Sequence, residues 1–434
     1  MPTKVSPMPP IQDHPDRYAM VNELHARPAA KITAPATATF LAIKPPRFAA
    51  KRSRSDDRAH LLALLDRHGA AHPAPDATHF STDMGRYHMK WESHTEFVTY
   101  TTFEQGLTDR PFDPSSFDVY PADWLGAAPG NRLTSIIMRI EVMPDDTASM
   151  IEKMLEWFVP ESLAASSVLD GVAVIASDFR IDAAGHIRMA MFVKPGTGGR
   201  RVGRIVQRMC EIETYKTISM LGLLRARAMS PQMGALDDEL TRLTRAMNDG
   251  ASRSEETLEA LLRISSELEN MVVESSFRFG ATGAYEALVH QRIDVLREAR
   301  FNGRQTLHEF MMRRFDPAMR TVKSAEGRLA KMAERAMRAG QLLSTRVDVE
   351  RSAQNQELLA SMDKRADLQL RLQHTVEGLS VVAISYYAVN LVAYLVMPLA
   401  EPAGVSKPVA MAVLAPVVVL GVWGMVRRIR AKFE

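Results

Sequence analysis

The chain has 434 residues, with 54 basic against 51 acidic side chains and 46% apolar residues, enough for two or three domains with a sizeable core. So even a charge balance gives no footing to a nucleic-acid partner. A single cysteine, Cys210, excludes an intramolecular disulfide, and without a Cys/His cluster there is no structural zinc, which fits a reducing compartment.

The opening stretch MPTKVSPMPPIQDHPDRYAM has no apolar core, so no cleaved signal peptide is expected. Ala36–Lys44 (ATATFLAIK) reads as a strand, and SDDRAHLLALLDRHG after it as a helix. Arg86–Phe103 reads as paired strands and Arg132–Val142 as another. TASMIEKMLEWFV is an amphipathic helix, and GVAVIASDFRID and HIRMAMFVK flank a hairpin turn at Asp182-Ala183-Ala184-Gly185. Irregular alternation of strands and helices predicts an α+β domain with a mainly antiparallel sheet over residues 1–195.

After KPGTGGR the pattern is helical only. Val202–Met229, Pro231–Asn248, Glu255–Ser275 and Ala281–Arg300 are expected as successive helices of a domain over 196–316. Pro317 opens a helix that meets no further proline until Pro398. Its part over 317–378 is a stalk of roughly 60 residues, or about 90 Å at 1.5 Å per residue. A helix of that length needs partners, either the helices before it or other copies in a coiled coil.

Leu379–Ala400 and Pro408–Val426 are uncharged runs of 22 and 19 residues, each long enough to cross a bilayer. Between them 401–407 is the tip of a hairpin. Lys364, Arg365 and Arg371 on one flank and Arg427, Arg428, Arg430 and Lys432 in the tail (427–434) place both flanks in the cytoplasm and the tip outside. The fold class expected is thus an α+β cytosolic domain, a helical domain, one very long stalk helix and a C-terminal two-helix transmembrane hairpin.

The segments NELHARP (Asn22–Pro28), WESHTEF (Trp91–Phe97), VQRMCEIETYK (Val206–Lys216) and RADLQLRLQHTVEGLSVVAISYY (Arg365–Tyr387) resemble the bacterial DUF3422 family of membrane-anchored proteins of unknown function. That resemblance spans nearly the whole chain and implies an inner-membrane location without supplying an activity or catalytic residues. The ground plan is also similar to that of CorA-type divalent cation transporters, pentamers whose first membrane helix lines the pore and closes on Tyr-Gly-Met-Asn. Here Tyr387-Ala388-Val389-Asn390 keeps the Tyr and Asn, Met397-Pro398 follows, and Asn390 sits mid-run.

Several residues invite a functional reading. In the first apolar run Ser380, Ala383, Tyr387, Asn390 and Tyr394 step by 3 and 4, so they share one helix face, with Gln369, Gln373 and Val376 continuing it toward the cytoplasm. A polar stripe in hydrocarbon should face protein or water. Three readings compete: a pore lining with Glu377 at its entrance, interhelical glue, or an aromatic belt, for which Tyr387 and Asn390 lie too deep. In the sheet, His88, Glu92, His94 and Glu96 would share one strand face, a metal-binding pattern whose alternative is the solvated side of a half-buried sheet. His14 and the pair Glu23/His25 are further histidines beside acids. Gly196–Arg200 (GTGGR) lacks the spacing of a nucleotide loop, and Cys210 reads as a packed thiol.

No nucleophile-and-base motif is recognisable, so an enzyme is the least favoured class. The function expected is a homo-oligomeric cation transporter or channel, with a divalent cation as the one cofactor or cargo the pattern admits. The alternative is a non-conducting membrane scaffold whose cytosolic domain binds a protein partner of unknown identity.

Overall fold

A computed structural model describes residues 11–18, 20–21, 29–249, 254–400 and 406–430. The chain divides into two compact units: one reaching Ala246 and resuming at Ala260–Met337, the other made of Met247–Glu259 and the chain from Arg338 on.

The first unit is built on one nine-stranded sheet. Its strands are β1 (Ala36–Lys44), β2 (His79–Met84), β3 (Tyr87–Ser93), β4 (Val98–Gln105), β5 (Asn131–Val142), β6 (Ala164–Val168), β7 (Ala173–Ile181), β8 (Ile187–Val193) and β9 (Ala299–Arg300). They lie in the order β2-β3-β4-β1-β5-β8-β7-β6-β9. Among the described strands only β5 and β8 pair parallel. The predicted hairpin joins β7 to β8: Asp182 Oδ1 accepts from the amides of Ala184 and His186, and Gly185 turns the chain at φ 89°.

All nine residues of β1 are buried, so both faces of the sheet are covered. On one face Leu41, Ile43, Met89, Trp91 and Tyr100 meet α1 (Arg54–Arg67), α2 (Ala122–Gly126) and α3 (Thr147–Trp157) in a single apolar cluster. Side-chain caps fix the helix starts: Ser53 accepts from the Asp56 amide, and Asp146 from those of Ala148 and Ser149. The other face lies under α4 (Gly199–Asp249), whose Val206, Cys210 and Thr214 border the same small cavity as Phe40, Thr99 and Thr101.

The helical part is more continuous than the sequence pattern predicts. α4 passes through Pro231 without ending. A proline inside a helix costs about 3 kcal/mol. Met229, Met233, Leu236 and Leu240 keep the 4-3-4 buried spacing across it, and this burial offsets that cost. Next, α5 (Ser254–Asp294) is one helix instead of two, and Ala299–Arg300 is an edge strand pairing with β6. Where α4 and α5 touch, a Cβ on Gly222 would lie 2.3 Å from the Thr282 hydroxyl, so only glycine permits the approach. A capping box of Thr306 and Glu309 opens α6 (Leu307–Arg314). The sheet and the first helices after it thus fall in one compact unit.

α7 (Asp316–Ala400) contributes to both units, with Pro317 in its first turn as expected. In the second unit α8 (Lys407–Arg430) follows it. Every residue of α7 from Asp348 to Val376 is exposed, including Leu358, Leu359, Met362, Leu368 and Leu372. The end of α7 and nearly all of α8 are long and apolar enough to cross a membrane, and almost none of either segment is buried. Low burial separates them from the core helices of a soluble domain.

Candidate functional site

The strand-face pattern of histidines and acids does not assemble. β3 ends at Ser93, the chain turns with the His94 amide donating to the Phe97 carbonyl, and β4 begins at Val98. His88 instead meets Asp83 at 2.6 Å and Ser81 at 2.8 Å on the neighbouring strand. Glu92 pairs with Lys90 at 3.1 Å, and the His94 ring stacks on Phe97 with centroids 4.3 Å apart. Glu96 is held by Arg278 of α5, with Lys44 of β1 at 3.9 Å. Among the described residues no group of three or more His, Cys, Asp or Glu side chains could hold a metal ion. The expected metal face is therefore corrected: each acid is already neutralised by its own cation. The solvated-face alternative is corrected too, because α4 covers Lys90 and Glu92 and both are buried.

Beneath α4 the cavity bordered by Lys90, Glu92, Cys210 and Thr214 measures about 30 Å³, room for a water and not for a substrate. Burial pushes the Cys210 thiol well above its ordinary range, which leaves it protonated and inert. Gly199 of this segment and Gly203 in the next turn have a packing role. A Cβ on Gly203 would sit 1.8 Å from the Ala30 carbonyl oxygen, and one on Gly199 2.8 Å from that of Ile32. A strap formed by residues 29–32 crosses the first turns of α4, and the Ile32 amide donates to the Gly199 carbonyl at 3.1 Å. His14 is exposed, its Nδ1 accepting from the Asp16 amide at 3.1 Å. Glu23 and His25 lie outside the described residues.

In the hairpin the predicted stripe divides. Ser380 is exposed, and Tyr387 and Tyr394 are 71% and 82% exposed. Asn390 is half-buried and its amide donates to the Tyr386 carbonyl at 3.0 Å. With Tyr394, Met397, Lys407 and Met411 it lines a cleft of about 380 Å³ near the tip. Glu377, at the start of the run, is half-buried and accepts from Gln373 at 3.3 Å. The buried line is a different one: Ser385 and Val389 on α7, and Val422 on α8. Ser385 was not among the residues the stripe selected. Its signal is the 381-385-389 spacing, a second face that an apolar run hides. Its hydroxyl has no partner among the described residues.

A family model described as "Protein of unknown function (DUF3422)" matches residues 12–433. The chain belongs to the DUF3422 family. No curated protein matches it.

Proposed function

We propose that this DUF3422 protein is anchored in a bacterial inner membrane by its two apolar helices, with the sheet-bearing unit and the tail in the cytoplasm. There it works as a homo-oligomer around α7 that conducts cations along the Ser380/Tyr387/Tyr394 face, with Asn390 at the edge of that face and Glu377 at its entrance. One observation carries the reading: the polar face is exposed, while the buried line of the hairpin is Ser385 and Val389. In hydrocarbon such a face is stable only against protein or water. The exposed turns between Asp348 and Val376 argue the same way, since an isolated apolar-bearing helix is marginal without partners. The element order, a sheet, long helices, one very long helix into the first apolar run and a second apolar helix, supports a CorA-like plan.

The non-conducting scaffold is the second reading, favoured by Asn390, whose amide is already satisfied by the Tyr386 carbonyl. Light scattering of the detergent-solubilised chain separates the two. A closed ring of four or more copies gives the polar face an axis to surround, and cation flux into liposomes should then be abolished in Asn390→Leu and Tyr387→Leu. A monomer or dimer, or flux unchanged by both substitutions, defeats the conducting reading.

A further inference from the structure

On the first unit, the strap of residues 29–32, the opening turns of α4 and the end of α5 enclose an open trench of about 860 Å³ lined by Lys31, Arg200, Arg204, Arg208 and Arg292. A second hollow of about 700 Å³ adjoins it, sharing Arg204 and Arg208 and adding Arg201 and Arg297. Together seven cationic side chains face two carboxylates, Glu211 and Asp294. The chain as a whole carries a formal charge of only +3, so this accumulation is local.

The pairing makes the excess sharper. Arg292 is bound by Glu211, which also accepts from Gln207 at 2.8 Å. Arg297 pairs with Asp170 at 2.6 Å. Among the described residues Arg201 reaches only the Leu169 carbonyl, at 3.5 Å. Among the described residues Arg200, Arg204 and Arg208 form no ion pair. Burial and then the charge of Arg204 hold the Arg208 guanidinium below its ordinary range, against the pull of Glu211.

We propose that this trench binds a ligand carrying two or more phosphate groups. Arginine forks match phosphate oxygens two at a time, which favours phosphate over a point-like anion. Residues 200, 204 and 208 recur every fourth position, so they line one face of α4 over about 12 Å, more than one phosphate can span. Among the described residues no phenylalanine, tyrosine or tryptophan lines either hollow, and the one aromatic ring there, His88, is already bonded to Asp83 and Ser81, so recognition rests on the phosphates. The same chemistry is offered by a soluble oligophosphate and by lipid headgroups held side by side.

The test uses the full chain in detergent, titrated with inorganic triphosphate and, separately, with sub-micellar tetrahexanoyl cardiolipin, whose headgroup carries two phosphates, reading affinity and thermal shift. Three proteins are compared: wild type, Arg204→Gln/Arg208→Gln, and a control, Arg227→Gln/Arg242→Gln, that removes the same charge elsewhere. Wild type and control should bind one of the two probes, and the trench variant at least about tenfold more weakly, since each charge-assisted hydrogen bond to a phosphate is worth roughly a factor of ten. Binding of triphosphate assigns a soluble ligand, and binding of the lipid alone assigns a headgroup. Without ligand the trench variant should melt close to wild type, because the repulsion and desolvation relieved at Arg208 are set against the lost attraction to Glu211. Should Arg208→Gln unfold the chain, the exposed Arg204→Gln alone carries the same comparison. Absence of binding by both probes, or equal weakening in the control, overturns the proposal.

Discussion

Glu96 sits in the turn between β3 and β4, only 1% exposed, and it is the sole carboxylate joining Arg278 of α5 and Lys44 of β1 among the described ion pairs. The side chains of Lys44 and Arg278 are 7% and 16% exposed, so neither can turn to water when the carboxylate is removed. Replacing Glu96 by Gln keeps the shape and strands two buried cations, a change that costs about 3–5 kcal/mol. For chains of this size Tm falls by about 2 °C per kcal/mol, so the midpoint should drop by roughly 6–10 °C. Near-ultraviolet circular dichroism of the buried Trp91 and Trp124 follows the unfolding of this unit. The pH dependence tests the cause. Burial holds the Lys44 ammonium below its ordinary 10.5, and Glu96 is the group that opposes the shift. Without Glu96 the folded value drops further, so the unfolded chain binds the extra proton and stability rises with pH below 10.5. The deficit of Glu96→Gln should therefore shrink between pH 7 and pH 10 (roughly the upper window of lysine titration). A midpoint within about 2 °C of wild type, or a deficit that does not change with pH, would refute the ion-cluster account.

Three further outcomes follow from other parts of the chain. His60 accepts from the Tyr100 hydroxyl and donates to the Trp124 carbonyl, and burial holds both it and His186 below the ordinary 6.5. Their unfolded forms bind protons first, so stability should be full above pH 6.5 and fall as the pH drops beneath it, with a shallower acid limb in His60→Gln by thermal melts. Gly203→Ala drives a methyl into the Ala30 carbonyl and should cost about 2 kcal/mol or more, seen as a lower melting midpoint and faster proteolysis of the chain before β1. In the hairpin, Ser385→Ala removes a buried hydroxyl without a partner among the described residues and should leave the native mass unchanged, whereas Tyr387→Leu should reduce it; equal effects would contradict the assignment of the two faces.

Much of the fold was legible from local pattern. β1 falls on the predicted Ala36–Lys44, and the hairpin at Asp182–Gly185 follows from turn chemistry that its own side chains complete. The two apolar helices follow from uncharged length alone. β2 and β6 carry little alternation (HFSTDM, AASSV), and β9 is two residues that owe their strand to pairing with β6. Pro231 and the stretch between Ser275 and Ala281 look like helix ends in sequence, but a proline penalty of about 3 kcal/mol is outweighed when the buried face continues through it.

The sites divide along the same line. Periodicity by itself determined that Ser380, Tyr387 and Tyr394 share a face, because helix geometry fixes which residues align. Only the tertiary structure decided which face is buried, since Ser385 and Val389 lie on an equally regular spacing and the choice depends on packing. Likewise His88, Glu92, His94 and Glu96 alternate perfectly in sequence, yet a turn after Ser93 and the cover of α4 give each a separate partner. The arginine trench was least visible of all. Its cations come from positions 31, 200–208, 292 and 297, each ordinary in its own segment, and only the crossing of strap, α4 and α5 adds their charges into one field.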